Sequence, residues 1–309
     1  MNDHLSKVIN CIKDANLKGA LMRREDVLTG FSGHALYGTL QRLSKEILTK
    51  ETCYLEIGVF QGLTLLSTAM TSPEHEFFGI DNFAFFDPDK KNKQLIEERA
   101  KKLDITNIQL INKDYEDALE NLSTYIGNKK VAIYFVDGPH DYRSQLMCLL
   151  LIKPFLAENA VILVDDSNYR HVRQANRDFL ITHPEFKLLY QAYTEAHPAN
   201  LSEAKKEKVV QGWWNGINII YRDKNNELDA FYPETIRDRS LYENEHILQA
   251  IRYPEHLHLM WRIFYKFRLI ELLKFIKKPK AIFQGKYASG NTYSEGLTEG
   301  EFNKTVQAS

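Results

Sequence analysis

The chain has 309 residues, of which 44% are hydrophobic and 26% charged, close to ordinary globular usage. That excludes an intrinsically disordered polypeptide and leaves ample apolar material for a core. Lys plus Arg number 40 against 41 Asp plus Glu, a net charge of −1 that argues against a dedicated nucleic-acid binder.

Charged and amide side chains interrupt every apolar run near the N-terminus, so no signal-peptide core is expected. No run of about 18 uncharged apolar residues occurs, so no spanning helix is expected either. The cysteines Cys11, Cys53 and Cys148 show no CxxC spacing, which excludes a disulfide framework and a structural zinc site. The reducing cytoplasm is the expected compartment.

Residues 1–50 read as a mixed helical cap. Residues 51–223 alternate short apolar runs with amphipathic stretches. The strand candidates are Cys53–Val59, Phe77–Asp81, Ile108–Asn112, Val131–Val136 and Ala160–Val164, continuous apolar runs of the kind buried on both faces of a parallel sheet. Helix candidates lie at Leu63–Met70, Lys90–Leu103, Tyr115–Tyr125, Arg143–Leu156 and Val172–Thr182. The alternation predicts a doubly wound α/β domain. Phe186–Tyr193 and Ile217–Tyr221 read as a closing pair of strands with no clearly periodic helix between them. Residues 224–283 turn aromatic and basic, and 284–309, rich in Gly, Ser, Thr and Asn, read as a disordered tail.

Ligands of open α/β sheets bind beyond the carboxyl ends of the strands. There the chain carries, in order, Glu56 with Gly58 and Gly62, then Asp81, Asp114, Asp137 with His140, and Asp165 with Asp166. Any one such acid is ordinary surface chemistry. An acid after each of five strands at one edge points to a ligand site. Gly58 and Gly62 permit a sharp turn before a helix, but Phe60 breaks the GxGxxG dinucleotide fingerprint, and no GxxxxGK[ST] loop is present. A carboxylate at the end of the second strand, here Asp81, can accept hydrogen bonds from ribose hydroxyls.

The ExGxxxG run of Glu56, Gly58 and Gly62 together with Asp81 resembles the class I S-adenosylmethionine (SAM)-dependent methyltransferases. LEIGVFQGLT, FVDGPHDY and LVDDSNY look closer to one branch, the small-molecule O-methyltransferases related to the macrocin and catechol enzymes, and the likeness covers about residues 35–222. It implies a Rossmann-like seven-stranded sheet whose last strand is antiparallel, with helical additions at both ends. It implies that the Gly58–Gly62 loop faces the methionine part of SAM, that Glu56 orients its amino group, that Asp81 binds the ribose and that Asp114 lies near the adenine. In metal-dependent members one Asp follows the fourth strand and an acidic pair the fifth, so Asp137, Asp165 and Asp166 are the implied ligands of a Mg²⁺ ion, which favours oxygen donors. The catechol branch carries a lysine base three residues after the first of these; His140 stands there instead, as a general base or merely as a carboxylate partner or substrate contact. His171 is a weaker candidate.

Methyl transfer from a sulfonium is an in-line displacement that depends on alignment and an enclosed site. The candidate enclosing segments are Phe31–His34 and Thr194–Gly216, the latter with His197, Trp213 and Trp214; at least one Trp is expected to be core filling. Residues 246–283 hold eight Lys or Arg and two Glu, a local charge of 8 − 2 = +6, with apolar residues at near-helical spacing from Leu259 to Ile276. Docking on the chain's own core or on a second subunit is expected there in preference to membrane contact. The sequence therefore predicts an Mg-assisted O-methyltransferase acting on a small-molecule hydroxyl acceptor, a sugar or secondary metabolite. The rival readings are an NAD(P)-dependent oxidoreductase and a methyltransferase-fold protein that transfers no methyl group.

Overall fold

Apolar residues on both sides of each strand fold as a sheet covered on both faces. The structure, a computed structural model, describes residues 1–84, 86–236, 254–269 and 300–308. Two helices, α1 (Asp3–Lys18) and α2 (His34–Ile47), precede the sheet. Then come β1 (Thr52–Ile57), α3 (Leu63–Ala69), β2 (Phe77–Ile80), α4 (Asn92–Lys102) and β3 (Ile108–Ile111). These are followed by α5 (Tyr115–Glu120), α6 (Ser123–Ile126), β4 (Lys130–Val136), α7 (Tyr142–Ile152), β5 (Leu156–Val164), α8 (Arg170–Thr182) and β6 (Phe186–Ala192). After β6 come α9 (Glu203–Gln211), β7 (Ile217–Arg222), α10 (Pro254–Lys266), β8 (Glu301–Phe302) and a helical turn, Lys304–Gln307.

The strand order is β3-β2-β1-β4-β5-β7-β6-β8. Strands β3 to β5 are mutually parallel, and β7 runs antiparallel to both β5 and β6. The order reverses between β1 and β4, which is where such sheets open a crevice at their carboxyl ends. Helices α1 to α4 cover one face, burying Leu5, Leu36, Leu65 and Ile96 against Tyr54 and Phe135. Helices α5 to α8 cover the other, burying Leu119, Leu149 and Phe179 against Leu55 and Tyr134. Successive strand residues thus serve opposite cores, which is why the runs are apolar without alternation.

The expected strands are all present. The seven-stranded Rossmann-like core is joined by an eighth, β8, which pairs antiparallel with the outer edge of β6 (Tyr190 with Phe302). Residues 300–308 therefore depart from the expected disordered tail: Asn303 is fully buried and donates to the carbonyls of Leu188 (2.9 Å) and Asp229 (3.0 Å). One well-bonded Asn and the Phe302 ring on Tyr190 anchor a segment whose composition carries little apolar signal. The rest of that tail, 284–299, lies outside the described residues. Helix α9 was not expected between β6 and β7; it buries only Val209 and so has no apolar stripe to read. The expected Arg143–Leu156 helix stops at Ile152, where Pro154 cannot continue the backbone ladder, and β5 begins at Leu156. No helix among the described residues is long and apolar enough to cross a membrane.

Candidate active site

The loop after β1 is built on left-handed backbone. Gly58 has φ +83°, and a side chain there would put its Cβ 1.9 Å from the Asp137 carbonyl oxygen, so only glycine lets the loop cross the end of β4. Gly62, φ +81°, turns the chain into α3. Between them Phe60 sits at φ +50°, a conformation few non-glycine residues adopt. Asp81 holds this loop: its Oδ2 accepts from the N–H groups of Val59 (2.9 Å) and Phe60 (2.8 Å), and its Oδ1 accepts from that of Phe83 (2.7 Å). A carboxylate offers about four acceptor directions, so one on Oδ1 is left for a ligand.

Glu56 lies wholly inside, beneath the loop. Its Oε2 accepts from the Tyr54 hydroxyl (2.5 Å) and its Oε1 from that of Thr64 (2.7 Å). Burial pushes its carboxyl up to about 8, although both hydroxyls favour the ionised form. Asp114 is exposed and caps α5 by accepting from the Glu116 N–H (2.9 Å).

Beyond β4 and β5 one ligand atom each from Asp137, His140 and Asp166 lies within 4.8 Å of the others. His140 Nε2 stands 2.7 Å from Asp166 Oδ2, and its ring stacks on Tyr169 at 5.1 Å and 9°. Asn215 Nδ2 donates to Asp166 Oδ1 (2.5 Å), so both oxygens of Asp166 are engaged. Asp165, the third acid expected as a metal ligand, is not in this group. It is buried, and its Oδ1 accepts from the Asp166 N–H (2.8 Å). Adjacent residues leaving a strand point to opposite sides, and Asp166 turns further through φ +54°, so the pair diverges. His140 takes the place assigned to Asp165. His171 lies half-buried on α8.

The charges are uneven. Burial, reinforced by Asp165 and Asp166, pushes the Asp137 carboxyl well above the usual carboxylate range, and burial beside Asp166 does the same to Asp165. Burial also opposes ionisation of Asp166, but His140 and Asn215 outweigh it and hold Asp166 below its ordinary value. For His140 burial favours the neutral ring, yet Asp166 outweighs it and raises the imidazole. His197, in the connection after β6, is lowered by burial, with Asp166 and His140 acting on it in opposite directions. That connection reaches the cluster through Asn215, which bonds Asp166.

Both expected enclosing segments meet at the glycine loop. Phe31 stacks on Phe60 (5.6 Å, 20°) and lies against Trp214 (6.1 Å, 35°), while Phe86 meets Phe60 edge-on (6.5 Å, 86°). Phe31 and Phe86 remain 65% and 78% exposed. The Ala35 N–H donates to the Gly212 carbonyl (3.1 Å), tying one segment to the other. The two tryptophans divide as expected. Trp213 is buried on Tyr190 (5.2 Å) and donates through Nε1 to Asn16 Oδ1 (2.7 Å), whereas Trp214 joins the aromatic group. Phe86 was not singled out in the sequence, and Phe60 only as the residue that breaks the dinucleotide fingerprint inside the glycine loop.

Residues 55–167 match a family model described as a methyltransferase domain. The likeness to class I methyltransferases is borne out across this segment. A comparison with curated proteins gives no match. Among solved structures, the O-methyltransferase TomG from Streptomyces achromogenes, involved in tomaymycin synthesis and bound to SAM, is similar at 14% identity and TM-score 0.46, covering 72% of this chain and 91% of that one. An O-methyltransferase from Bacillus cereus in complex with S-adenosylhomocysteine (SAH) gives 12% identity and 0.45, covering 72% and 92%. The SAH-bound methyltransferase PaMTH1 from Podospora anserina gives 16% and 0.42, covering 72% and 89%.

Proposed function

We propose that this chain is a SAM-dependent O-methyltransferase acting on a hydroxyl of a small molecule. The observation that carries the reading is the His140–Asp166 pair standing beside a glycine loop clamped by Asp81. The residues fit SAM: a loop that only glycine can build, a buried Glu56 bracing it, and an Asp81 with an acceptor direction to spare. When bound, SAM supplies an electrophilic methyl group on a sulfonium.

In this reading His140, its Nε2–H held by Asp166, takes the acceptor's hydroxyl proton at Nδ1, and Asp166 stabilises the resulting imidazolium. Tyr169 fixes the plane of the ring and Asn215 the orientation of Asp166. Phe31, Phe60 and Trp214 exclude water and offer flat apolar surfaces to the acceptor. Three free, buried cysteines suit a reducing compartment, and we infer a cytoplasmic enzyme.

The expected Mg²⁺ ion fits poorly. One imidazole nitrogen with two carboxylates is not the all-oxygen set that Mg²⁺ favours, and Asp165 does not join them. No step above runs through a metal. The convergence of Asp137, His140 and Asp166 supports a second reading, in which the three hold a divalent cation that takes an imidazole nitrogen beside carboxylate oxygens, as Mn²⁺ can.

The test is calorimetric titration of the full chain with SAH, followed by a screen of hydroxylated acceptors with SAM. Micromolar SAH binding and methyl transfer to a hydroxyl are expected. Folded protein that does not bind SAH would refute the reading and return the oxidoreductase to consideration. SAH binding with no transfer to any acceptor would favour a protein that keeps the fold without the reaction.

A further inference from the structure

Helix α10 lies outside the methyltransferase match and carries an apolar row that faces water. Leu259, Met260 and Ile263 are 58%, 51% and 41% exposed. Phe267, 66% exposed, extends the row, because its N–H still bonds the Ile263 carbonyl (3.0 Å). Leu259, Ile263 and Phe267 follow at i, i+4 and i+8, so they share one helix face, and Met260 lies beside them. Arg262 and Lys266, each three residues beyond a member of the row, are exposed along its edge. Arg268, at φ +53°, follows where the helix has ended.

A contiguous apolar strip of this kind marks a contact surface, and the charge around it selects the occupant. The surrounding sequence, 246–283, sets eight Lys or Arg against Glu255 and Glu271 alone. A second copy docked across a two-fold axis would bring Arg262 and Lys266 against basic residues like themselves. A lipid surface bearing anionic headgroups meets both requirements. It receives the apolar strip at the headgroup boundary and pairs with the basic edge, whose long stems lie along the strip. The open strip is not docked on the chain's own core among the described residues.

We propose that α10 docks this protein peripherally on an anionic membrane surface, through Leu259, Met260, Ile263 and Phe267 with Arg262 and Lys266 at the edge. The inference is independent of the methyltransferase chemistry. It would bring the active site to acceptors carried on or near lipid.

The test is vesicle flotation of the full chain, with phosphatidylcholine alone and with about one third phosphatidylglycerol added. Wild type floats with the anionic vesicles and not with phosphatidylcholine alone, and added salt reduces the binding. Arg262→Gln with Lys266→Gln weakens partitioning by about 25-fold, taking roughly fivefold per charge. Ile263→Asp abolishes it and, being at an exposed position, leaves thermal unfolding unchanged. Absence of flotation, or flotation that survives Ile263→Asp, overturns the proposal. So does a dimer in sedimentation velocity that Ile263→Asp disperses, since the strip would then belong to a second copy.

Discussion

Replacing Glu56 by Gln tests the electrostatics beneath the glycine loop. Glu56 is fully buried, with two neutral hydroxyls as its partners, and its carboxyl is pushed from 4.5 up to about 8. The folded protein thus holds this proton more tightly than the unfolded chain does. The associated stability is fully present below pH 4.5 and is lost as the pH rises through about 8. Integrated over that interval the loss is at most ~5 kcal/mol, a large share of a typical domain's stability. Glutamine keeps an acceptor for one hydroxyl and offers a donor to the other, and it carries no charge to desolvate. Urea unfolding of wild type and Glu56→Gln at about pH 5 and about pH 9 measures the difference. The variant should lie within ~1 kcal/mol of wild type at the lower pH and be more stable by about 3–5 kcal/mol at the higher. A difference that stays constant with pH, or a variant that loses stability relative to wild type as pH rises, would refute the assignment of a buried, proton-holding Glu56.

Other substitutions separate the roles of neighbouring residues. Asp81→Asn leaves one oxygen where three backbone N–H groups now find two, so it should cost ~1–3 kcal/mol of stability and weaken SAH binding at least about tenfold by calorimetry. Trp213→Ala should cost about 3–5 kcal/mol in unfolding, while Trp214→Ala should leave stability nearly unchanged and raise KM for the acceptor. His140→Ala should lower kcat by about 10²–10⁴ with SAH affinity intact, as measured by single-turnover methyl transfer and calorimetry. If a cation is held, calorimetry should show Mn²⁺ binding tighter than Mg²⁺, loss of binding in His140→Ala, and little change in Asp165→Asn.

The sheet was legible because burial on both faces writes itself as uninterrupted apolar runs; Phe77–Ile80 and Val131–Val136 have no competing reading. The acids at the strand ends were legible by position alone. Partners across the chain were not. Asp165 and Asp166 are indistinguishable in sequence, and what separates them is a left-handed backbone at Asp166 and an amide from Asn215, which is remote in the chain. Asp81 could be placed at the loop, but not its occupation by three backbone N–H groups. Helix α9 and strand β8 escaped because the first buries one side chain and the second spans two residues. The joining of Phe31 to Trp214 depends on a contact between segments that are distant in sequence, though each was named separately as a candidate cover.

The short strand β8 has a consequence for how the molecule tolerates being cut. By pairing with β6 and anchoring Asn303 to the carbonyls of Leu188 and Asp229, it fixes residues 301–303 to the edge of the sheet. Removing the last ten residues would strip that cover from the outer edge of β6, leaving free backbone groups as a template for strand exchange between molecules.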